Sequence, residues 1–347
     1  MKIKIIRDPL HGDIKIFPLE WLIIDTPLFQ RLRFVSQLVG SSFVFPGCTH
    51  NRFSHSLGAM NICSLYGEKF IRENKISLEE YRILRLACLL HDISHGAFSH
   101  QFDESIYKKL GYENGHDDFR EKVITQFLPY FLYQKVPSLS FVQQKAINDD
   151  LKILGYENIN DLIEELPDKI LKIFYNKESY HFAIVQGTLG ADRLDFIWRD
   201  SYFSGVKGFP KGDIERIIAN SDIIQEKLVY NIKTVDEIFS ALSGRFMLYK
   251  NLYFNKTARI VDLMIQQILN LYSEILDFSK YLESPNQFIK LTDDYFLNLY
   301  QAIHPKNKKE KIIIQEIKNL VKRVRTRNLW KMVHQEYIYE HQSIEDK

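Results

Sequence analysis

The stretch Leu90-His91-Asp92-Ile93-Ser94-His95-Gly96-Ala97-Phe98-Ser99-His100 decides how the rest of the chain is read. An apolar run, Leu86 to Leu90, leads into an adjacent His–Asp pair, and two further histidines follow. Packing alone does not bring so many imidazoles and a carboxylate together. If the helix that starts near Leu78 continues, His95 lies one turn beyond His91 on the same face, with Asp92 beside them at the helix end. That arrangement points to a metal-and-phosphate site.

Outward from this stretch the pattern is mostly helical. Ser77-Leu78-Glu79-Glu80 carries a capping signature for the helix that ends in the His–Asp pair. Before it, Asn51 to Gly58 opens a helix that runs toward Ile71, and Asp25-Thr26-Pro27 starts another, with Leu28, Leu32, Val35 and Leu38 at helical spacing. Ile3 to Phe17 has a short period and reads as an extended or hairpin segment. Gly40 to Gly47 reads as a break, and residues 130 to 180 alternate helical runs with Pro137, Gly155 and Pro167. Ile184 to Asp200 is an apolar helix carrying Asp192, Arg193, Asp195, Arg199 and Asp200, and Gly205 to Gly212 is a turn-rich loop. Leu242 to Arg259 is helical, and Lys306 to Lys331 is basic. The expectation is an all-α fold with a few short strands, in one compact domain with a smaller C-terminal helical lobe.

The bulk properties exclude more than they identify. The 347 residues are 45% hydrophobic and 26% charged, as in an ordinary globular protein. A net charge of +2 implies no strong polyelectrolyte partner. Cys48, Cys63 and Cys88 are odd in number and widely spaced, which favours a reduced, intracellular protein. Met1 to Asp8 turns to charge too early for a signal peptide, and no apolar run approaches a membrane span of about eighteen residues. A cytoplasmic protein without a membrane partner is expected.

His55, His91, Asp92 and Asp192 are the candidate metal ligands: two imidazoles and two carboxylates make a mixed N/O shell. No cysteine pair has the spacing of a closed structural zinc site. Such a shell suits Fe, Mn, Zn, Co or Ni and leaves positions for water and a phosphate oxygen. His95, His100, His116 and Asp103 are the remaining polar candidates; histidine can neutralise a phosphate ester or protonate its leaving oxygen near neutral pH. Arg52 and Arg193, each near a proposed ligand in sequence, could clamp phosphate oxygens.

His55, the His91–Asp92 pair and Asp192 resemble the H…HD…D signature of the HD phosphohydrolases. Longer stretches resemble the deoxynucleoside triphosphate triphosphohydrolase branch of that family. They are Asp8-Pro9-Leu10-His11-Gly12, Asp25 to Arg33, Phe45 to Gly58, His91 to Asp103, Asp192 to Asp200, Arg245 to Lys256 and Arg327 to Lys331. The resemblance spans nearly the whole chain in order. It implies a mainly helical HD-domain fold, with residues 1–230 as the metal-dependent core and 231–347 as a lobe completing nucleotide and effector sites.

The resemblance further implies release of a deoxynucleoside and inorganic triphosphate in one step, by attack of water at the α-phosphorus with the 5′ oxygen leaving. Carried over, His55, His91, Asp92 and Asp192 ligate a divalent metal, and Mg can accompany the nucleotide. His95 and His116, with Asp103 as orienting carboxylate, match a catalytic cluster, and His100 matches a histidine at the α-phosphate. Arg52, Arg193, Arg245 and Lys256 match triphosphate contacts, Gln37 and Asp200 the 3′-hydroxyl, and Leu38 and Tyr253 the sugar. A bulky group against C2′ would exclude a ribose hydroxyl. Lys4, Asp25, Gln30, Arg33, Arg327 and Lys331 match a guanine-nucleotide (GTP or dGTP) effector pocket of proteins that assemble as homo-oligomers, dimers or tetramers.

Three departures bear on this expectation. Phe196 stands where a mammalian member has a phosphate-contacting tyrosine. Phe254 and Tyr249 replace a glutamine and a histidine near the base, and Arg7 replaces an asparagine near a second effector site. Two other readings compete: an HD phosphodiesterase or nucleotidase acting on another nucleotide, and a nucleotide-sensing or nucleic-acid-binding protein using Lys306 to Lys331. That basic segment has few aromatics and reads more simply as a solvated helix face, so a nucleic-acid partner is disfavoured.

Overall fold

The computed structural model describes residues 3–206 and 211–334. Helices dominate, and among the described residues the strands form two antiparallel hairpins. The first pairs β1 (Lys4–Asp8) with β2 (Gly12–Ile16), Asp8 opposite Gly12 at the turn. The second pairs β3 (Ser221–Ile224) with β4 (Lys227–Tyr230).

Three helices build the frame of the site. α1 (Arg52–Arg72) starts at Asn51, whose side chain accepts from the Ser54 amide at 3.1 Å. α2 (Leu78–Leu90) starts with the expected reciprocal cap: Glu80 N donates to Ser77 Oγ at 3.1 Å and Ser77 N to Glu80 Oε2 at 2.7 Å. From Tyr81 to Leu90 every residue of α2 is buried, because the helix lies between α1 and the helix Ile159–Tyr175. Each large apolar side chain so placed is worth about 1.5–3 kcal/mol; Leu84→Ala would cost about 2–5 kcal/mol. α3 (Ala191–Ser204) crosses α1 on its other side.

The C-terminal part supplies the opposite wall. α4 (Val235–Leu248) runs into a π-helical turn, Tyr249–Tyr253, and α5 (Lys256–Ser273) restarts at Asn255, which caps the Thr257 and Ala258 amides. α5 packs on the short 3₁₀ turn Gly40–Phe43 and on α6 (Lys308–Arg325). α6 buries Ile313, Ile317, Leu320, Val321 and Val324 on one stripe, and most of its basic residues face outward. α4 instead exposes an apolar stripe: Val235, Phe239, Leu242 and Phe246.

Several expected helices are shorter than their periodicity suggests. α2 ends at Leu90, and His91 to Ser94 form a turn, with His95 N donating to Asp92 O at 3.2 Å. His95 therefore does not continue the helical face of His91. The Pro27 helix stops at Gln30 and tightens into a 3₁₀ turn, Arg31–Phe34. Ile184 to Asp200 is two helices, Tyr180–Gln186 and α3, separated at Gly187 to Gly190. Leu242 to Arg259 breaks at Phe254 and Asn255. Of the loop at Gly205 to Gly212, residues 207–210 lie outside the described residues, and the helix Lys211–Ala219 has already begun at Lys211.

Candidate metal and phosphate site

His91 and His55 are each held by the back nitrogen of the ring. His91, at the end of α2, donates Nδ1–H to the Cys88 carbonyl at 2.7 Å. His55, in the first turn of α1, donates Nδ1–H to Asp195 Oδ2 at 2.8 Å. With those protons placed, both Nε2 atoms carry lone pairs, and they face each other 3.1 Å apart. Asp192 Oδ1 lies 3.2 Å from His55 Nε2 and 3.5 Å from His91 Nε2. Asp92 approaches the same point, with Oδ1 3.4 Å from His91 Nε2 and Oδ2 3.6 Å from His55 Nε2. So many electron pairs converging on one point make a ready cation site. The donors suit a divalent metal with mixed N/O ligands.

The electrostatics agree. Burial would lower the His55 pKa, but hydrogen bonds to Asp192 and Asp195 outweigh it and raise it to about 10, so the carboxylates around His55 make this pocket favour a positive charge, a proton or a cation. Burial opposes charge on Asp92, but Arg52, at 2.5 Å, together with His91 and His95 holds its carboxyl well below the usual range. Asp192 is likewise held low against burial by His91 and His55.

A second cluster adjoins the first. Asp103 sits in a π-helical turn, Asp103–Tyr107, and accepts from His116 Nδ1 at 2.8 Å and His100 Nδ1 at 3.0 Å. Gly115, at φ +62°, lets Asp103 lie so close that a Cβ there would fall 2.6 Å from its carboxyl carbon. Burial would raise the Asp103 pKa, but His116 and His100 outweigh it and keep the carboxyl ionised. His95 stacks on His116 with ring centroids 3.5 Å apart. Its pKa is pushed well below the ordinary value by burial, then by Arg52 and His116, so it is a neutral imidazole. Neither of its ring nitrogens has a hydrogen-bond partner among the described residues. Stacked parallel rings aim their lone pairs side by side, which suits proton handling better than shared chelation of one ion.

The turn between the clusters is fixed from outside. Arg31, fully buried, donates to the carbonyls of Ile93 at 2.9 Å, His95 at 2.6 Å and Leu291 at 3.0 Å. Arg120 Nε donates to the His91 carbonyl at 2.9 Å. Phe98 and Ser99 adopt left-handed φ values of 60° and 52°, a strained backbone for residues with side chains. Asp293 holds it by accepting the Phe98 amide at 2.6 Å, and Ser99 Oγ accepts from Arg52 Nε at 2.9 Å.

Both clusters open on a cleft of about 540 Å³. Its wall includes Gln37, Leu38, Arg52, Arg193, Asp200 and Tyr253 of the sequence-expected substrate residues, with Asp92, Asp192, His95, His100 and His116. Arg245 and Lys256 do not line it; Arg245 stacks near Tyr249 at 5.5 Å, and Lys256 is exposed. Tyr253 donates to Asp200 Oδ2 at 2.5 Å, and His50 Nε2 donates to Asp200 Oδ1 at 2.7 Å. The expected effector residues lie elsewhere. Lys4 pairs with Asp25 at 3.2 Å, Arg33 donates to Gln30 at 2.8 Å, and Arg327 reaches the Phe43 carbonyl at 3.5 Å; Lys331 is exposed.

Arg31, His50, Asp195, Arg259, Asp262 and Asp293 carry site geometry that sequence patterns did not assign. Apart from the pair Arg259 and Asp262, three residues apart, their partners lie far away in the chain, so no local spacing marks them. The only prior signal was the charge of Asp195 and Arg199 on an otherwise apolar helix.

Compared with known proteins, the sequence pattern of the HD domain matches residues 52–171, and that of the HD-associated region matches residues 213–345. The chain carries an HD domain followed by an HD-associated region. This HD-domain chain is 29% identical over 338 residues to a Dictyostelium discoideum protein named deoxynucleoside triphosphate triphosphohydrolase SAMHD1 homolog, covering 95% of this chain and 60% of that one. It is 28% identical over 362 residues to the Homo sapiens deoxynucleoside triphosphate triphosphohydrolase SAMHD1, covering 95% and 55%. The chain thus spans little more than half the length of these relatives. A crystal structure of a phosphohydrolase from Bacteroides thetaiotaomicron superposes with a TM-score of 0.72 at 25% identity, covering 95% of this chain and 78% of that one. Among the described residues no helix is long and apolar enough to cross a membrane.

Proposed function

We propose that this HD-domain chain hydrolyses deoxynucleoside triphosphates to deoxynucleoside and inorganic triphosphate, with His55, His91, Asp92 and Asp192 holding one divalent transition metal. The observation that carries this reading is the convergence of those four side chains at one end of a cleft that also holds Arg52 and Arg193. When bound, the metal supplies polarisation of a phosphoryl oxygen and acidification of a water.

The chain's own residues supply the rest. Arg52 and Arg193 neutralise phosphate oxygens. His95, a neutral imidazole on the cleft wall, can hydrogen-bond the attacking water, while His100 and His116, backed by Asp103, are placed to donate a proton to the leaving 5′ oxygen. Gln37 Oε1 is buried without a hydrogen-bond partner among the described residues, and a 3′-hydroxyl beside Asp200 would satisfy it. Leu38 and Tyr253 would exclude a 2′-hydroxyl by contact. The lobe expected over residues 231–347 would complete the nucleotide site from the other side, through Tyr249, Tyr253, Arg259 and Asp262.

Regulation and assembly belong to the same proposal. Lys4, Asp25, Gln30, Arg33, Arg327 and Lys331 would take a guanine nucleotide effector, and the chain works as a cytoplasmic homo-oligomer. The exposed apolar stripe of α4 supports self-association.

The test is to incubate manganese-supplemented protein with each deoxynucleoside triphosphate, singly and mixed, with and without GTP, and to identify products by ion-pair chromatography with mass detection. Deoxynucleoside plus intact triphosphate is expected, falling at least about a thousandfold in His91→Ala and Asp92→Ala. The absence of triphosphate in every mixture would overturn the reading. One observation favours a second reading, a phosphodiesterase or nucleotidase: Phe196 lines the cleft without a hydroxyl to offer a phosphate. Orthophosphate from monophosphates, or a ring-opened cyclic nucleotide, would decide for it.

A further inference from the structure

The residue behind His55 has a partner of its own. Asp195 Oδ1 accepts from His11 Nε2 at 2.6 Å, and His11 Nδ1 accepts from Asn61 Nδ2 at 3.2 Å. Arg199 adds a fork to the same carboxylate, with Nε 2.8 Å from Oδ2 and NH2 3.1 Å from Oδ1. All three side chains of this layer are essentially solvent-free: His11 is 3% exposed, Asp195 and Arg199 0%.

The chain is shaped to allow this. Asp8 ties down the β1–β2 turn by accepting the amides of Leu10 at 2.9 Å and His11 at 3.1 Å, and its other oxygen accepts from Arg199 NH1 at 2.9 Å. The turn thereby aims the His11 ring at α3. On α1, Gly58 leaves the space that the carboxylate fills, since a Cβ there would fall 2.0 Å from Asp195 Oδ1.

We infer that His11 is a positioning residue of the metal site, acting through Asp195 to fix the ring of His55. This rests on the reading that His55 is a metal ligand. Two oxygens held by His55, His11 and both arms of Arg199 leave the carboxylate plane no freedom. Asp195 then keeps the His55 proton on Nδ1 and the Nε2 lone pair on the metal. Without His11, Oδ1 keeps only the longest of those bonds, and the carboxylate can pivot on the Arg199 fork. His11 also borders a separate cavity of about 220 Å³ lined by Lys15, Asn61 and Arg85, so water can fill the space a smaller side chain leaves. Loss of His11 thus loosens the ligand more than it unfolds the protein.

The test measures Mn²⁺ affinity of the full chain after chelator stripping, by calorimetry and by the electron paramagnetic resonance of free Mn²⁺. His11→Ala is expected to raise the Kd about 10–100-fold, while metal-free unfolding moves by only a few degrees. His11→Gln, whose amide nitrogen reaches the place of Nε2, recovers most of the affinity. His11→Asn is too short to reach and does not, which keeps the test available if the alanine protein fails to fold. Unchanged Kd in His11→Ala or His11→Asn, with binding lost in His55→Ala, overturns the positioning role and leaves the metal reading standing. Unchanged Kd in His55→Ala overturns the metal reading itself.

Discussion

At the metal end of the cleft His55, His91 and Asp92 are gripped from behind, whereas the opposite wall is held by few bonds and much of it faces solvent. His91 is held by a carbonyl, His55 by Asp195, Asp92 by Arg52, and the turn that carries them by Arg31 and Arg120. Across the cleft, Tyr253 makes one bond to Asp200, Arg259 lies 3.4 Å from Asp262, and Tyr249 and Phe254 are exposed. A site that concentrates charge needs its ligands fixed before the ligand arrives, because reorganisation would be charged against binding. A wall that reads a sugar and base can remain adjustable.

The comparison breaks most visibly at Arg31. Arg31→Ala would strand three buried carbonyls and release the turn from Ile93 to His95. A stability loss of about 3–5 kcal/mol is expected in denaturant unfolding, since several buried acceptors lose their donor at once. A loss under about 1 kcal/mol would mean the metal end is not braced as described.

Asp262 sharpens the other side. Burial pushes its carboxyl pKa up to about 6, against the favourable contacts of Arg259 and the Gly40 amide. The unfolded chain releases this proton near 3.8, so between there and about 6 the folded state holds the extra proton. Stability contributed by this group therefore falls as pH rises through that window and is level above it. Asp262→Asn should remove a slope on the order of 2 kcal/mol between about pH 4 and about pH 7. Identical pH profiles of unfolding for the two proteins would contradict it. The smallest effect belongs to Tyr253→Phe, which removes the hydroxyl from Asp200. KM for the nucleotide should rise about threefold to tenfold with kcat little changed; a fall in kcat alone would place Tyr253 with the chemistry instead.

Much of this was legible before any coordinates. Ser77 and Glu80 announce the start of α2 because a capping box is a local device, complete within four residues. The His91–Asp92 pair and His55 announce the metal end because ligands must be of particular types, and types are visible in a sequence. The end of α2 in the His91–Asp92 pair was legible, but the course of the chain beyond it was not. The turn from Ile93 to His95 is held by Arg31, some sixty residues earlier, which claims its carbonyls. The same holds for Asp195, whose meaning depends on His11 and Gly58. Arg245 and Lys256 were placed by likeness to other chains, and neither is among the residues that line the cleft.

Asp293 carries a consequence for how the protein is made. Its two carboxylate oxygens accept the amides of Ser36 and Phe98, one on each side of the site. A nascent chain emerges N-terminus first, so all four candidate ligands are outside the ribosome long before residue 293 is synthesised. Until then the strained pair Phe98–Ser99 has no carboxylate to hold it, and Arg31 lacks the Leu291 carbonyl. The last third of the chain is thus the latch that closes a pocket whose candidate metal ligands were all translated earlier.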